Sequence, residues 1–211
     1  YFQSWTNTYD TAENLKRIYD MALSSGDFSE FIVSTRPDCV EDDIADLLAG
    51  YITKDREVWV ELGLQSASDE TLRRINRGHT LSDYVKCMER LHKRGIKVCT
   101  HVILGLPGEG REDFIKTAKV LNETGSEGVK IHNLHIPGGT KMAEEYLEGE
   151  ITSWSTERYM NEVEYFLRLL NPEMIIERLV CETPSHRLMA PRHFMDKSLF
   201  LRTLNDKMEK D

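Results

Sequence analysis

The sequence predicts an α/β fold in which a parallel sheet curves toward a barrel, and three observations carry that reading. Short, β-rich apolar runs alternate with polar segments of helical period. Inside several of those runs, polar residues recur at every second position. The residues that end the runs are polar or rich in glycine.

Six runs read as strands, at 1–6, 30–35, 57–65, 96–105, 128–136 and 174–181. The helices between them mark their own ends. Asp10 with Glu13, Asp38 with Glu41, and Thr80 with Asp83 are each placed to cap a helix start, where a side-chain oxygen meets unpaired backbone N–H groups and the acid complements the helix dipole. Gly26, Gly95 and Gly125 stand where helices should stop. No repeat, low-complexity tract or linker interrupts the alternation.

Strands of a helix-covered parallel sheet are usually apolar on both faces, so polar residues at period two need a cause. In the third run Val58, Val60, Leu62 and Leu64 share one face, and Trp59, Glu61, Gly63 and Gln65 the other. In the fourth, Val98, Thr100, Val102 and Leu104 oppose Cys99, His101, Ile103 and Gly105. Lys130 shares a face with His132, and Ser34 with Arg36. A barrel whose outer face packs on helices and whose inner face lines a polar cavity accounts for this pattern. Ligands of such sheets bind at the carboxyl ends of the strands. Those ends here carry Thr6-Asn7-Thr8, Thr35-Arg36-Pro37-Asp38, Gln65-Ser66, Gly105-Leu106-Pro107-Gly108-Glu109 and His135-Ile136-Pro137-Gly138-Gly139. Glycines there let backbone approach a ligand and leave N–H groups free to donate.

A chain of 211 residues suffices for one sizeable core. Its formal net charge of -9 supplies no broad positive field for nucleic-acid phosphates or an anionic membrane. No apolar run is long enough for a membrane span and no leader segment opens the chain, so a soluble cytoplasmic protein is expected. Cys39, Cys87, Cys99 and Cys181 are scattered, without the close pairs of a metal knuckle, and are expected reduced and partly buried.

Three strings fall in order on successive strands: Thr35-Arg36-Pro37-Asp38, Glu61-Leu62-Gly63-Leu64-Gln65-Ser66 and Ile103-Leu104-Gly105-Leu106-Pro107-Gly108-Glu109. The ordered set resembles the radical S-adenosylmethionine superfamily. Tyr1-Phe2-Gln3 before Thr6-Asn7-Thr8, the stretch 32–40, Leu72-Arg73-Arg74-Ile75-Asn76-Arg77-Gly78-His79 and Ala190-Pro191 make the likeness closest to the YhcC-like bacterial proteins. It implies a partial TIM-type (βα)6 barrel, here missing its first strand, over 1–150, with a C-terminal extension over 151–211 that adds a strand at 174–181 and a helix from about Phe194. Members hold a 4Fe-4S cluster on a Cys-x3-Cys-x2-Cys loop after the first barrel strand. There the cofactor is cleaved to methionine and a 5′-deoxyadenosyl radical that takes hydrogen from substrate. Nothing in this chain matches that loop. Residue 1 is therefore expected to begin the second barrel strand, with the cluster cysteines upstream and neither cofactor tightly bound to this fragment alone.

By strand and spacing, Gln65 and Arg77 match a Gln and an Arg that contact the methionine and ribose parts of the cofactor in related coproporphyrinogen oxidases. Where relatives place a glutamate for the cofactor's amino group this sequence has Ser34, with Thr35 beside it, and where they place an aspartate near the ribose it has His101. Glu61 on the same inner face is the carboxylate available to compensate. Ser66 follows Gln65 in the same turn. Gly105, Leu106, Pro107 and Gly108, with the backbone near His135 and Ile136, would flank adenine. The resemblance also implies a flavodoxin or ferredoxin as electron donor for the intact protein, and leaves the substrate open.

Other readings compete. A metal-free barrel enzyme of aldolase or isomerase type would bind phosphate at 105–110, yet Lys130 sits in mid-strand with no partner evident in the sequence. A non-catalytic interaction domain that kept the scaffold is the third. His132 and His135 point to opposite faces of a strand and cannot share an ion. Arg73, Arg74 and Arg77 with Lys86, Arg90, Lys93 and Arg94 form a basic stretch that tRNA would suit, but it reads better as a solvated helix face. His186, Arg187, Arg192 and His193 either line a substrate mouth or decorate a loop.

Overall fold

The computed structural model describes residues 1–209 and has five parallel strands in one sheet. In chain order its elements are α1 (Ala12–Leu23), β1 (Glu30–Thr35), α2 (Asp42–Ala49), β2 (Glu57–Gln65), α3 (Asp69–Arg74), α4 (Leu81–His92), β3 (Lys97–Leu104), α5 (Arg111–Thr124), β4 (Gly128–Asn133), β5 (Ile136–Pro137), α6 (Lys141–Leu147), α7 (Thr156–Leu167), β6 (Ile175–Arg178), β7 (Leu188–Ala190) and α8 (Lys197–Met208). The strand order β1-β2-β3-β4-β6 is that of a curved, partly closed barrel laid out in sequence. β5 and β7 pair antiparallel in a separate ribbon.

The outer face of the sheet is apolar because helices cover it. Val58, Val60, Leu62 and Leu64 of β2 and Val98, Val102 and Leu104 of β3 join Tyr84, Met88 and Leu91 of α4 and Phe114 and Leu121 of α5 in one core. Thr100, on the same face, is also buried; its hydroxyl bonds Tyr84 Oη at 2.8 Å and Ser126 Oγ at 2.7 Å, so no polar atom is stranded. Tyr159 and Phe166 of α7 and Phe200 and Leu204 of α8 belong to that core, which ties the C-terminal helices to the sheet.

Local differences from the sequence reading have local causes. The run at 1–6 forms a single parallel bridge, Phe2 to Val33, instead of a strand. Asn7 Nδ2 donates to the Phe2 and Ser34 carbonyls at 3.0 and 3.1 Å and folds the segment back, with Trp5 at φ +69°. Thr11, not Asp10, caps α1 by accepting from Asn14 N; Asp10 accepts from Thr11 N instead. Asp38 lies in a short 3-10 turn, Pro37–Cys39, and α2 starts after Glu41 with no side-chain cap. Thr80 and Asp83 form the expected capping box, and Gly125 ends α5 at φ +70°. The last helix begins at Lys197, three residues beyond Phe194, with Asp196 as its cap. Among the described residues no helix is long and apolar enough to cross a membrane.

Candidate functional site

The inner face of β2 carries one buried acid, Glu61, and four neighbours converge on it. The residue is only 2% exposed. Ser34 Oγ of β1 donates to it at 2.9 Å, Tyr1 Oη at 2.5 Å, His101 Nε2 of β3 at 2.9 Å, and Lys130 Nζ of β4 makes a close ion pair. Lys130 also pairs with Glu177 of β6 at 3.0 Å, so the partner that the sequence did not reveal is a pair of carboxylates on two other strands. Burial by itself would raise the Glu61 pKa, but hydrogen bonds from His101, Lys130 and Tyr1 outweigh it and hold the carboxylate well below its usual range. Burial opposes charge on Lys130 as well, and the two carboxylates reverse that effect and raise its pKa. An ammonium so held is no nucleophile.

His132 lies beside His101 with ring centroids 5.2 Å apart. Burial and the neighbouring His101 push its pKa down to about 3, and its Nε2 is buried without a partner. His135 is turned elsewhere, but not by strand alternation, since β4 ends at Asn133 and His135 lies in the loop beyond it: its Nε2 accepts from Asn133 Nδ2 at 2.8 Å and its Nδ1 donates to Thr183 Oγ1 at 2.7 Å.

At the carboxyl end of β2 the register slips between Gly63 and Gln65, where β2 meets β3. Gln65 takes φ +72°, an uncommon conformation for a side-chain-bearing residue, so the bulge re-aims its amide. The Arg77 guanidinium lies over Gly63, Nη2 donating to the Gly63 carbonyl at 3.4 Å, in space a Cβ would occupy. Its Nε is buried with no partner, as is Nδ1 of the buried His79, whose Nε2 bonds the Leu64 carbonyl at 3.3 Å. Burial and the nearby Arg36 depress the Arg77 pKa, and burial and Arg77 depress that of His79. Of these neighbours only Arg36 is neutralised, by Asp38 at 2.5 Å. The result is a half-buried cation with spare donors, suited to a carboxylate.

The other expected positions divide. Thr35 faces away from Ser34 and bonds Thr8 Oγ1 at 2.5 Å, holding the first turn. Ser66 is buried and bonds Glu109, tying two strand-end turns together. Gly105 sits at φ +96° under the Trp154 ring, and beside Gly108 a Cβ would meet nothing. Pro107 and Gly108 line a cavity of about 570 Å³ beyond the turn. Leu106, Leu134, Ile136 and Ala190 form a second apolar cluster with Ile75 and Ile103 at the strand ends. The turn at 105–110 is poorly suited to phosphate, because a half-buried Glu109 lies within it and Glu112 and Asp113 fill the first turn of α5.

Tyr1, His79, Lys130, His132 and Glu177 went unassigned in the sequence. Only the shared face of Lys130 and His132 signalled any of them. The cysteines hold no cluster ligand set: burial raises the pKa values of Cys87, Cys99 and Cys181, and no three His, Cys, Asp or Glu side chains among the described residues could hold a metal ion. The residues present therefore fit the S-adenosylmethionine half of the expected cofactor pair and not the iron–sulfur half.

The Radical SAM superfamily profile matches residues 4–121 and the Radical_SAM C-terminal domain residues 126–210. A protein of Methanocaldococcus jannaschii, MJ0486, is 39% identical over all of this chain, and protein YhcC of Escherichia coli K12 is 40% identical over 90% of it. The chain spans 66% and 62% of their lengths. The fold matches that of Methanocaldococcus infernus Elp3 lacking its N-terminus, with a TM-score of 0.79 and 22% identity over 99% of this chain and 53% of that one. With more than half its length inside the family profile and two whole-domain relatives near 40% identity, this chain belongs to the radical S-adenosylmethionine superfamily.

Proposed function

We propose that this chain is the nucleoside- and methionine-binding bed of an enzyme that reductively cleaves S-adenosylmethionine. Bound beside a reduced 4Fe-4S cluster held by another part of the protein, that cofactor supplies hydrogen-atom abstraction by a 5′-deoxyadenosyl radical. This chain's residues bind and orient. Arg77 meets the cofactor carboxylate and Gln65 its hydroxyls. His101, with Nε2 committed to Glu61, keeps Nδ1 for the ribose, and Leu106, Leu134 and Ile136 receive the adenine. A flavodoxin or ferredoxin would feed the cluster.

The observation that carries this reading is the buried, unpartnered Nε of Arg77 over Gly63, a polar atom whose desolvation is otherwise uncompensated. The test is titration of the chain with S-adenosylhomocysteine, followed through the tryptophan fluorescence to which Trp154 at Gly105 contributes. Saturable binding that Arg77→Gln weakens about tenfold or more is expected. No saturable binding up to millimolar ligand, or binding indifferent to Arg77, would overturn it. The protein carrying a Cys-x3-Cys-x2-Cys segment together with this chain should release 5′-deoxyadenosine under anaerobic reduction.

A further inference from the structure

Four residues near the C-terminus lie outside the proposed bed. His186, Arg187, Arg192 and His193 line a pocket of about 530 Å³ together with Gly138 and Ser185. No carboxylate lines it, in a chain with a formal net charge of -9. Elsewhere Arg36, Arg74, Arg90, Arg94 and Arg111 each hold a carboxylate. Arg187 and Arg192 hold none among the described residues; Arg192 Nε donates only to the Met189 carbonyl, at 3.2 Å. Two guanidiniums gathered without acids repel each other unless an anion joins them, and the two imidazoles beside them can donate further hydrogen bonds to it.

The backbone beneath them is fixed. Gly138 N donates to the Arg187 carbonyl at 2.8 Å, and the Arg187 and Leu188 amides donate to the Pro184 carbonyl at 2.9 and 3.2 Å. β7 then pairs with β5 through Ile136 and Ala190, both fully buried. A ribbon anchored in this way presents its cations with less ordering cost on binding than a free loop would.

The surroundings limit the size of the anion. The adjoining cavity, which shares Arg192, is lined by Glu182 and Asp196. α6, packed on β5, carries Glu144 and Glu145 and is followed by Glu148 and Glu150. An extended polyanion would run from the basic pocket onto these acids. A compact one would not.

We propose that this pocket binds a compact, multiply charged phosphate group, an ester or a diphosphate, carried by a small molecule, with Arg187 and Arg192 as the principal contacts. The ribbon connects the pocket to the nucleoside bed, because Ile136 and Ala190 belong to the same apolar cluster as Leu106. That the anchored molecule is the substrate, its uncharged part reaching into the bed, rests on the radical reading given above. The anion pocket itself does not depend on that reading.

Calorimetric titration at low ionic strength tests this, with inorganic pyrophosphate and single-stranded RNAs of increasing length as probes. Saturable pyrophosphate binding is expected, weakened about tenfold or more when Arg187→Ala and Arg192→Ala are combined, and unchanged in Arg77→Gln. Both arginines are exposed, so the double variant should keep the wild-type circular dichroism spectrum. Absence of pyrophosphate binding, or binding indifferent to the double substitution, overturns the proposal. So does RNA affinity that grows with length through the same two residues, since it would assign the pocket to nucleic acid. If S-adenosylhomocysteine fails to bind while pyrophosphate still depends on the arginines, the cofactor reading falls and the anion pocket stands.

Discussion

The Arg77 side chain reaches back across 14 positions of sequence to lie on Gly63, with Nη2 3.4 Å from its carbonyl oxygen. Only glycine leaves that space free. A Cβ there would meet the Arg77 guanidinium and would sit 2.6 Å from Gln65 Nε2.

Gly63→Ala should therefore separate binding from stability. The atoms it displaces are the far ends of two flexible side chains, so the folding cost should stay near 1 kcal/mol. Affinity for S-adenosylhomocysteine should fall about tenfold or more, because both proposed polar contacts move together. Urea unfolding and ligand titration of the same variant check the two halves.

Glu61→Gln leaves Lys130 with Glu177 as its one carboxylate and turns one of the two oxygens that serve Lys130 and His101 into an amide donor. Breaking a buried ion pair costs about 3 to 5 kcal/mol, and the surviving partner puts the expected loss at the lower end. The pH dependence has a definite sign. Because the folded pKa of Glu61 is depressed, its contribution is present above the ordinary carboxylate pKa of about 4.3 and is lost as pH falls toward the folded value. Denaturant midpoints measured below about pH 4.3 should decline less steeply in the variant than in the parent.

His132 acts in a different window. Its pKa is pushed down to about 3, so between that value and its unfolded pKa of about 6.5 the unfolded chain binds the extra proton and stability rises with pH. In His132→Asn that slope should flatten between pH 3 and about 6.5, while the curve near neutral pH keeps its shape. An unchanged slope would mean that the ring already carries its proton in the fold.

Gly105→Ala should cost about 1 to 3 kcal/mol, since φ +96° is strained for any L side chain and the new methyl would stand 3.3 Å from Trp154 Cδ2. A shifted tryptophan emission maximum in the folded variant, together with a lower thermal midpoint, would report that the indole has moved.

The sheet was legible because its signal is local. Val58, Val60, Leu62 and Leu64 alternate with Trp59, Glu61 and Gly63 within the nine residues of β2, and the outer face became core as that period requires. The run at 1–6 carried similar composition, but its pairing was decided by Asn7 and by the turn at Trp5, which is 94% exposed. The β2 bulge left no compositional mark, since Gly63 and Gln65 fit an unbroken alternation equally well. Lys130 met its carboxylates only through three-dimensional closure, with Glu61 69 positions away. At two and three residues, β5 and β7 are too short to show any period. The positions named by resemblance were readable as strings of sequence. Those that hold them in place were not.

The ribbon of β5 and β7 separates what holds the molecule together from what it could select. One side is locked by Ile136 and Ala190, while positions 185–187 and 192–193 are exposed on the other. For protein engineering this is the natural place for a library. Randomising 185–187 and 192–193 would explore new ligands at small thermodynamic risk, whereas the same effort spent on the inner strands would dismantle the bed before it changed its guest.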